Sequence, residues 1–164
     1  MRDDGPRDVK AATRAHLVLD NFWPYRLSVI SNRISDAIAR QYSDRFGLSV
    51  PEWRVMAVLG GMPGLSARDV AQRTAMDKVR VSRAVANLVT VGRVSRRTDA
   101  QDGRITRLSL TPRGQDIYDQ IVPMALKLEE EVFSTLSAED RDLLDRVMAK
   151  LAHQADRLGA FPVS

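Results

Sequence analysis

Lys78, Arg80, Ser82 and Arg83 lie within one short stretch of helical apolar spacing, and together they supply hydrogen-bond donors without a base that would make any of them a nucleophile. At about 100° per residue, Val81, Ala84, Val85 and Leu88 form one apolar stripe that must turn inward. Val79, Arg83, Ala86 and Thr90 then lie roughly opposite, with Arg80, Ser82 and Asn87 on the flanks. Asp77 reads as the N-cap, which places Lys78 to Arg83 in the first turns, the end of a helix that meets base edges when it enters a major groove. Guanidinium and hydroxyl donors among small side chains suit that task. The same pattern also describes a solvated cationic face, and the helix alone does not separate the two.

The elements around this helix narrow the choice. A short helix from Ser66 and a tight turn at Ala75-Met76-Asp77 precede it, and a basic hairpin follows. The hairpin is read from Arg93 to Arg97 and from Arg104 to Thr111, with alternation at Thr106, Leu108 and Leu110 and a turn signal at Asp102-Gly103. Arg104 therefore sits at or near the ribbon tip, where a guanidinium can enter a narrow, strongly negative minor groove. Alternatively, Arg104 pairs with Asp99 or Asp102 and stiffens the loop. The order is that of a winged helix-turn-helix. Charge follows it: between Ser66 and Arg107, ten cations against four carboxylates give +6, whereas the whole chain carries +4, so the remainder is −2. A basic block confined to one region is the footprint of a polyanion site. A membrane surface would call for exposed aromatics, and the block has none.

Two runs in this region, LSARDVAQRTAMDKVRVSRAVANLVTVGRVSRR and TDAQDGRITRLSLTPRG, resemble the MarR family of transcription regulators. The resemblance extends upstream through LSVPEWRVMAVL to about Phe22, and the first twenty residues are unmatched. It implies a mainly α fold with a small β-hairpin wing, flanked by N- and C-terminal helices that interleave with those of a second copy. It also implies double-stranded DNA as partner, met as a homodimer on a pseudopalindromic site. The candidate contacts are Ser66, Arg68 and Thr74 on the first helix and its approach, and Lys78, Val79, Arg80, Ser82, Arg83 and Asn87 on the second. Arg97, Asp102 and Arg104 complete the set on the wing. Relatives often hold a small aromatic or anionic effector between the dimerisation helices and the DNA-binding lobe. Tyr25, Arg26, Arg33, Trp53 and Met56 are candidates to line such a pocket, against a plain reading in which Trp53 and Met56 are core and the arginines are surface.

Composition sets the outer bounds. At 164 residues and 44% hydrophobic content, the chain makes one packed domain or one subunit that completes its core by association. No apolar run approaches the roughly 18 residues that span a bilayer and no signal peptide is visible, so the expected setting is cytoplasmic, without a membrane partner. Cysteine is absent, which excludes disulfides and thiol-based oxidant sensing. His16 and His153 form no ligand-spaced cluster, so neither a metal site nor a cofactor is expected. The chain has no nucleophile elbow or phosphate-binding glycine loop, which argues against an enzyme. A helical protein-interaction module is the alternative function, separable by salt-sensitive duplex binding.

The flanks read as helices. Residues 1–21 form a tail with a weak helical patch over 9–20. Asn21 is a candidate cap for a helix carrying Leu27, Ile30, Ile34 and Ile38 to about Arg45, stopped by Gly47. Ser49-Val50-Pro51-Glu52 reads as a capping box for a helix to about Leu59, before Gly60-Gly61. Beyond the wing, a helix from Thr111-Pro112 carries Ile117, Ile121 and Val122, with Pro123 demanding a kink. A last helix from about Leu136 carries Leu144, Val147, Met148, Leu151, Ala155 and Leu158, closed by Gly159 and Pro162. Residues 22–47 and 112–160 are thus assigned to dimerisation and 48–111 to the DNA-binding lobe.

Overall fold

A computed structural model describes residues 16–159. Residues 9–15 of the expected helical patch at 9–20 lie outside them, as does Pro162, and of the remainder only Leu19 and Asp20 are helical, in a 3-10 turn. A 3-10 turn at Leu19–Asn21 leads into α1 (Trp23–Phe46), so the helix starts two residues after the expected cap at Asn21. Gly47 stops it in the left-handed region at φ 59°, a conformation that costs glycine little. Next come α2 (Val50–Gly61), β1 (Leu65–Ser66), α3 (Ala67–Thr74), α4 (Lys78–Thr90), β2 (Val94–Thr98) and β3 (Thr106–Leu110). The chain closes with α5 (Pro112–Phe133) and α6 (Ala138–Gly159). Contacts divide it within α1, into a unit ending at Ile34 and a unit from Ser35 onward.

Caps fix the helix starts. Ser49 and Glu52 exchange the two bonds of a capping box at α2, as expected. The same device recurs at α3, where Ser66 and Asp69 bond reciprocally, and Ser137 pairs with Asp140 at the start of α6. One boundary differs from expectation. The α2 helix runs through Gly60 and Gly61, and the Tyr118 ring lies against Gly60 where a Cβ would collide with it. The α5 helix continues through Pro123 as one element.

The core of the larger unit gathers Val55, Met56 and Leu59 from α2, Val70 from α3, and Val81, Ala84, Val85 and Leu88 from α4. It also takes in Tyr42 from α1 and Ile117 and Ile121 from α5, so the compact lobe reaches beyond 48–111 on both sides. Trp53 stands between Tyr42 and Tyr118, with ring centroids 5.6 and 6.0 Å away. These tilted stacks join α2 to the second half of α1 and to α5. Burial pushes the Tyr42 hydroxyl up to about 12, despite the opposing field of Arg54. The sheet is antiparallel in the order β1-β3-β2, with Leu65 opposite Leu108 and Arg97 opposite Arg107. The two-residue strand β1 has no sequence period of its own and exists only because β3 offers an edge.

Candidate nucleic-acid interface

α4 is anchored from behind and open in front. Val81, Ala84, Val85 and Leu88 are all buried, while Lys78, Val79, Arg80, Ser82, Arg83, Ala86 and Asn87 face solvent. Asp77 caps the helix by accepting from the Arg80 amide at 2.8 Å. Before it, Ala75 adopts the left-handed conformation at φ 51° and ends α3, which makes the sharp reversal between the two helices. Beside α4, the first turn of α2 contributes Ser49, Pro51 and Glu52 to a groove whose other wall is Asp77, Val79, Arg80, Arg83, Ala84 and Asn87. That neighbour could not be read from spacing, because it depends on how α2 crosses α4.

The carboxylates of the basic block are all tied to backbone amides. Asp69 and Asp77 cap α3 and α4, and Asp102 accepts from the Arg104 amide at 3.0 Å. Asp99 accepts from the Gln101 and Asp102 amides at 2.9 Å each and pairs with Arg107 at 2.7 Å. Those two amides and the guanidinium hold the Asp99 carboxyl at about 2, well below its usual range. Ser66 holds the Asp69 carboxyl below the usual range as well, and the Arg80 amide does the same for Asp77.

The cations divide differently. Arg107 is taken up by Asp99, which also relieves the like-charge opposition to Arg97 across the ladder. Arg93 turns inward, its guanidinium donating to the Phe46 carbonyl at the end of α1 while its Nε is buried without a partner. Arg68, Arg73, Lys78, Arg80, Arg83, Arg96, Arg97 and Arg104 remain exposed. Among the described residues, Arg80 is the one of these eight with an ion pair, a loose 3.9 Å contact with the exposed Asp77. The expected alternative for Arg104 is thus not what is found: the loop is stiffened by Asp99 and Arg107, and Arg104 stands in solvent at the tip.

Two of the expected contact residues need correction. Thr74 is buried and its hydroxyl donates to the Val70 carbonyl at 2.7 Å, so its one side-chain donor is spent within α3. Ser66 is half-buried on β1, with its hydroxyl donating to Asp69 at 2.7 Å. The remaining ten of the twelve lie on α3, α4 and the wing, all exposed.

The expected effector residues separate. Met56 is fully buried in the core, and Trp53 is held in the aromatic stack, as the plain reading of these two residues has it. In the N-terminal unit, Tyr25 and Arg26 border a cleft with Asp20, Val29 and Ile30, and the Arg26 guanidinium lies 4.4 Å over the Trp23 ring. Arg33 is exposed and is not among the residues lining that cleft.

A capped helix held from behind by a helical core, with a three-stranded ribbon beside it and cations left free on both, is a winged helix-turn-helix, a fold that DNA-binding proteins use. The MarR family model matches residues 46–105, so the stretch from the end of α1 to the wing is similar to that family of transcriptional regulators. It is 25% identical over 127 residues to the HTH-type transcriptional regulator YdgJ of Bacillus subtilis, covering 77% of each chain. The MarR family regulator SPO1453 of Silicibacter pomeroyi superposes with a TM-score of 0.73 at 26% identity, over 85% of this chain and 99% of that one. BpsR of Bordetella bronchiseptica has the same fold, with a TM-score of 0.73 at 20% identity over 84% of this chain and 98% of its own. Its structure concerns regulation of DNA binding by 6-hydroxynicotinic acid. Such relatives are regulators rather than enzymes. Among the described residues, no helix is long and apolar enough to cross a membrane.

Proposed function

We propose that this chain is a homodimeric repressor that binds a pseudopalindromic operator and is released by a small aromatic or anionic effector. The observation that carries the DNA part is the sorting of charge in the lobe: every carboxylate is engaged by an amide, while eight cations stay exposed. Arg83, Ser82 and Asn87 meet base edges from the open side of α4. Lys78, Arg80, Arg68 and Arg97 meet phosphates, and Arg104 enters the minor groove at the wing tip.

The exposed apolar stripes support the dimer. On α6, Leu143, Leu144, Val147, Met148, Leu151 and Leu158 are each at least 38% exposed, and α6 buries no residue. In the N-terminal unit, Trp23, Leu27 and Ile30 are likewise uncovered. Patches of this extent mark an association surface, and a second copy of the same chain supplies a matching one. The effector reading rests on Tyr25 and Arg26, which offer a ring and a guanidinium to one cleft, and on the fold shared with BpsR.

The test is duplex binding as a function of salt, with an operator selected from genomic fragments. Four phosphate contacts per subunit on a dimer predict a slope of roughly −7 in log K against log salt. A slope near zero, or equal binding to operator and scrambled duplex, overturns the reading.

A further inference from the structure

Val79 is 61% exposed in the first turn of α4, on the outward stripe that also carries Arg83. A β-branched residue there lowers helix propensity and, left uncovered, gains no packing in return. Its side chain is stiff, so it presents two methyl groups in a fixed direction at little entropic cost when something covers them. On the major-groove edges of B-DNA the apolar group is the thymine C5-methyl. Resting on the DNA-binding reading above, we propose that Val79 is a specificity residue that packs on a thymine methyl in each half-site.

The position of that thymine follows from helix and duplex geometry. Val79 and Arg83 are four residues apart, or about 6 Å along the helix, and successive base pairs are about 3.4 Å apart. The thymine therefore lies within about two base pairs of the base that Arg83 meets. Lys78 and Arg80, on either side of Val79 in the chain, carry the charge that holds this turn against the phosphates.

Deoxyuridine keeps every hydrogen-bonding group of thymine and lacks only the methyl, so it isolates the contact. An operator selected from random duplexes is scanned by replacing each thymine with deoxyuridine, and affinity is measured for wild type and Val79→Ser at one salt concentration. The expected result is one thymine per half-site whose replacement weakens wild type about three- to fivefold, the worth of one buried methyl group. At that position Val79→Ser binds thymine and deoxyuridine alike. If both proteins lose equally at every position, or wild type loses at none, Val79 does not read the methyl and only this inference falls. If no duplex is selected at all, the DNA-binding reading falls and this one with it.

Discussion

Arg83 and Arg104 are both uncovered guanidiniums, but they are held differently and their loss should read differently. Arg83 is presented by a helix with a buried back and a capped start, so its fork is aimed. Arg83→Ala is expected to cost about 1 to 3 kcal/mol in operator binding and to relax preference at one base position. Arg80→Ala, on the flank, should weaken all sequences alike. Competition assays with single-base operator variants at fixed salt check both, and unchanged affinity for Arg83→Ala would sink the placement. Arg104→Ala should cost roughly 1 to 2 kcal/mol on operators with A·T-rich flanks and less on G·C-rich ones, because a narrow groove concentrates the negative potential. Equal loss on both flanks would remove the minor-groove role.

At the scale of elements, the wing is a loop built on one carboxylate. Asp99 binds two loop amides and Arg107, and those contacts hold its carboxyl at about 2 rather than the ordinary 3.8. A carboxyl depressed in the folded state contributes order that is fully present above 3.8 and is lost as pH falls toward 2. Protection of the Gln101 and Asp102 amides, relative to the intrinsic exchange rate at each pH, should therefore persist at pH 5 and fall between about 4 and 2. Asp99→Asn should show fast exchange at those amides at neutral pH, with the signals of α4 unmoved. Protection factors unchanged by both pH and the substitution would mean that the loop is held by something else.

At the scale of the molecule, the question is what covers α6. Burying one leucine is worth about 1.5 to 3 kcal/mol, and α6 leaves four of them exposed with Val147 and Met148 between. Leu151→Glu is expected to turn a dimer of twice 18.3 kDa into a monomer that keeps the helical content of the lobe. It should also lose most of its affinity for a two-half-site operator while retaining that for one half-site, because only the linkage between sites is removed. Sedimentation near micromolar concentration decides it, and a wild-type monomer overturns the dimer.

The helices, their caps and the inward stripe of α4 were legible because each depends on neighbours within about one turn: Ser49 finds Glu52, Asp77 finds the Arg80 amide, and Val81 to Leu88 share a face by period alone. The resemblance to the MarR family was legible for the same reason, since the motifs that carry it are contiguous and the family model matches the same stretch, residues 46–105. The boundary of the lobe was not, because Tyr42 and Ile117 enter its core from segments far from it in sequence. Nor was the allocation of charge. Among ten similar cations, only the fold turned Arg93 to the α1 carbonyl and Arg107 to Asp99, and only it buried Thr74 and Met56. Local hydrogen bonds and helical periodicity are written in spacing, whereas which side chain remains free for a partner depends on long-range packing.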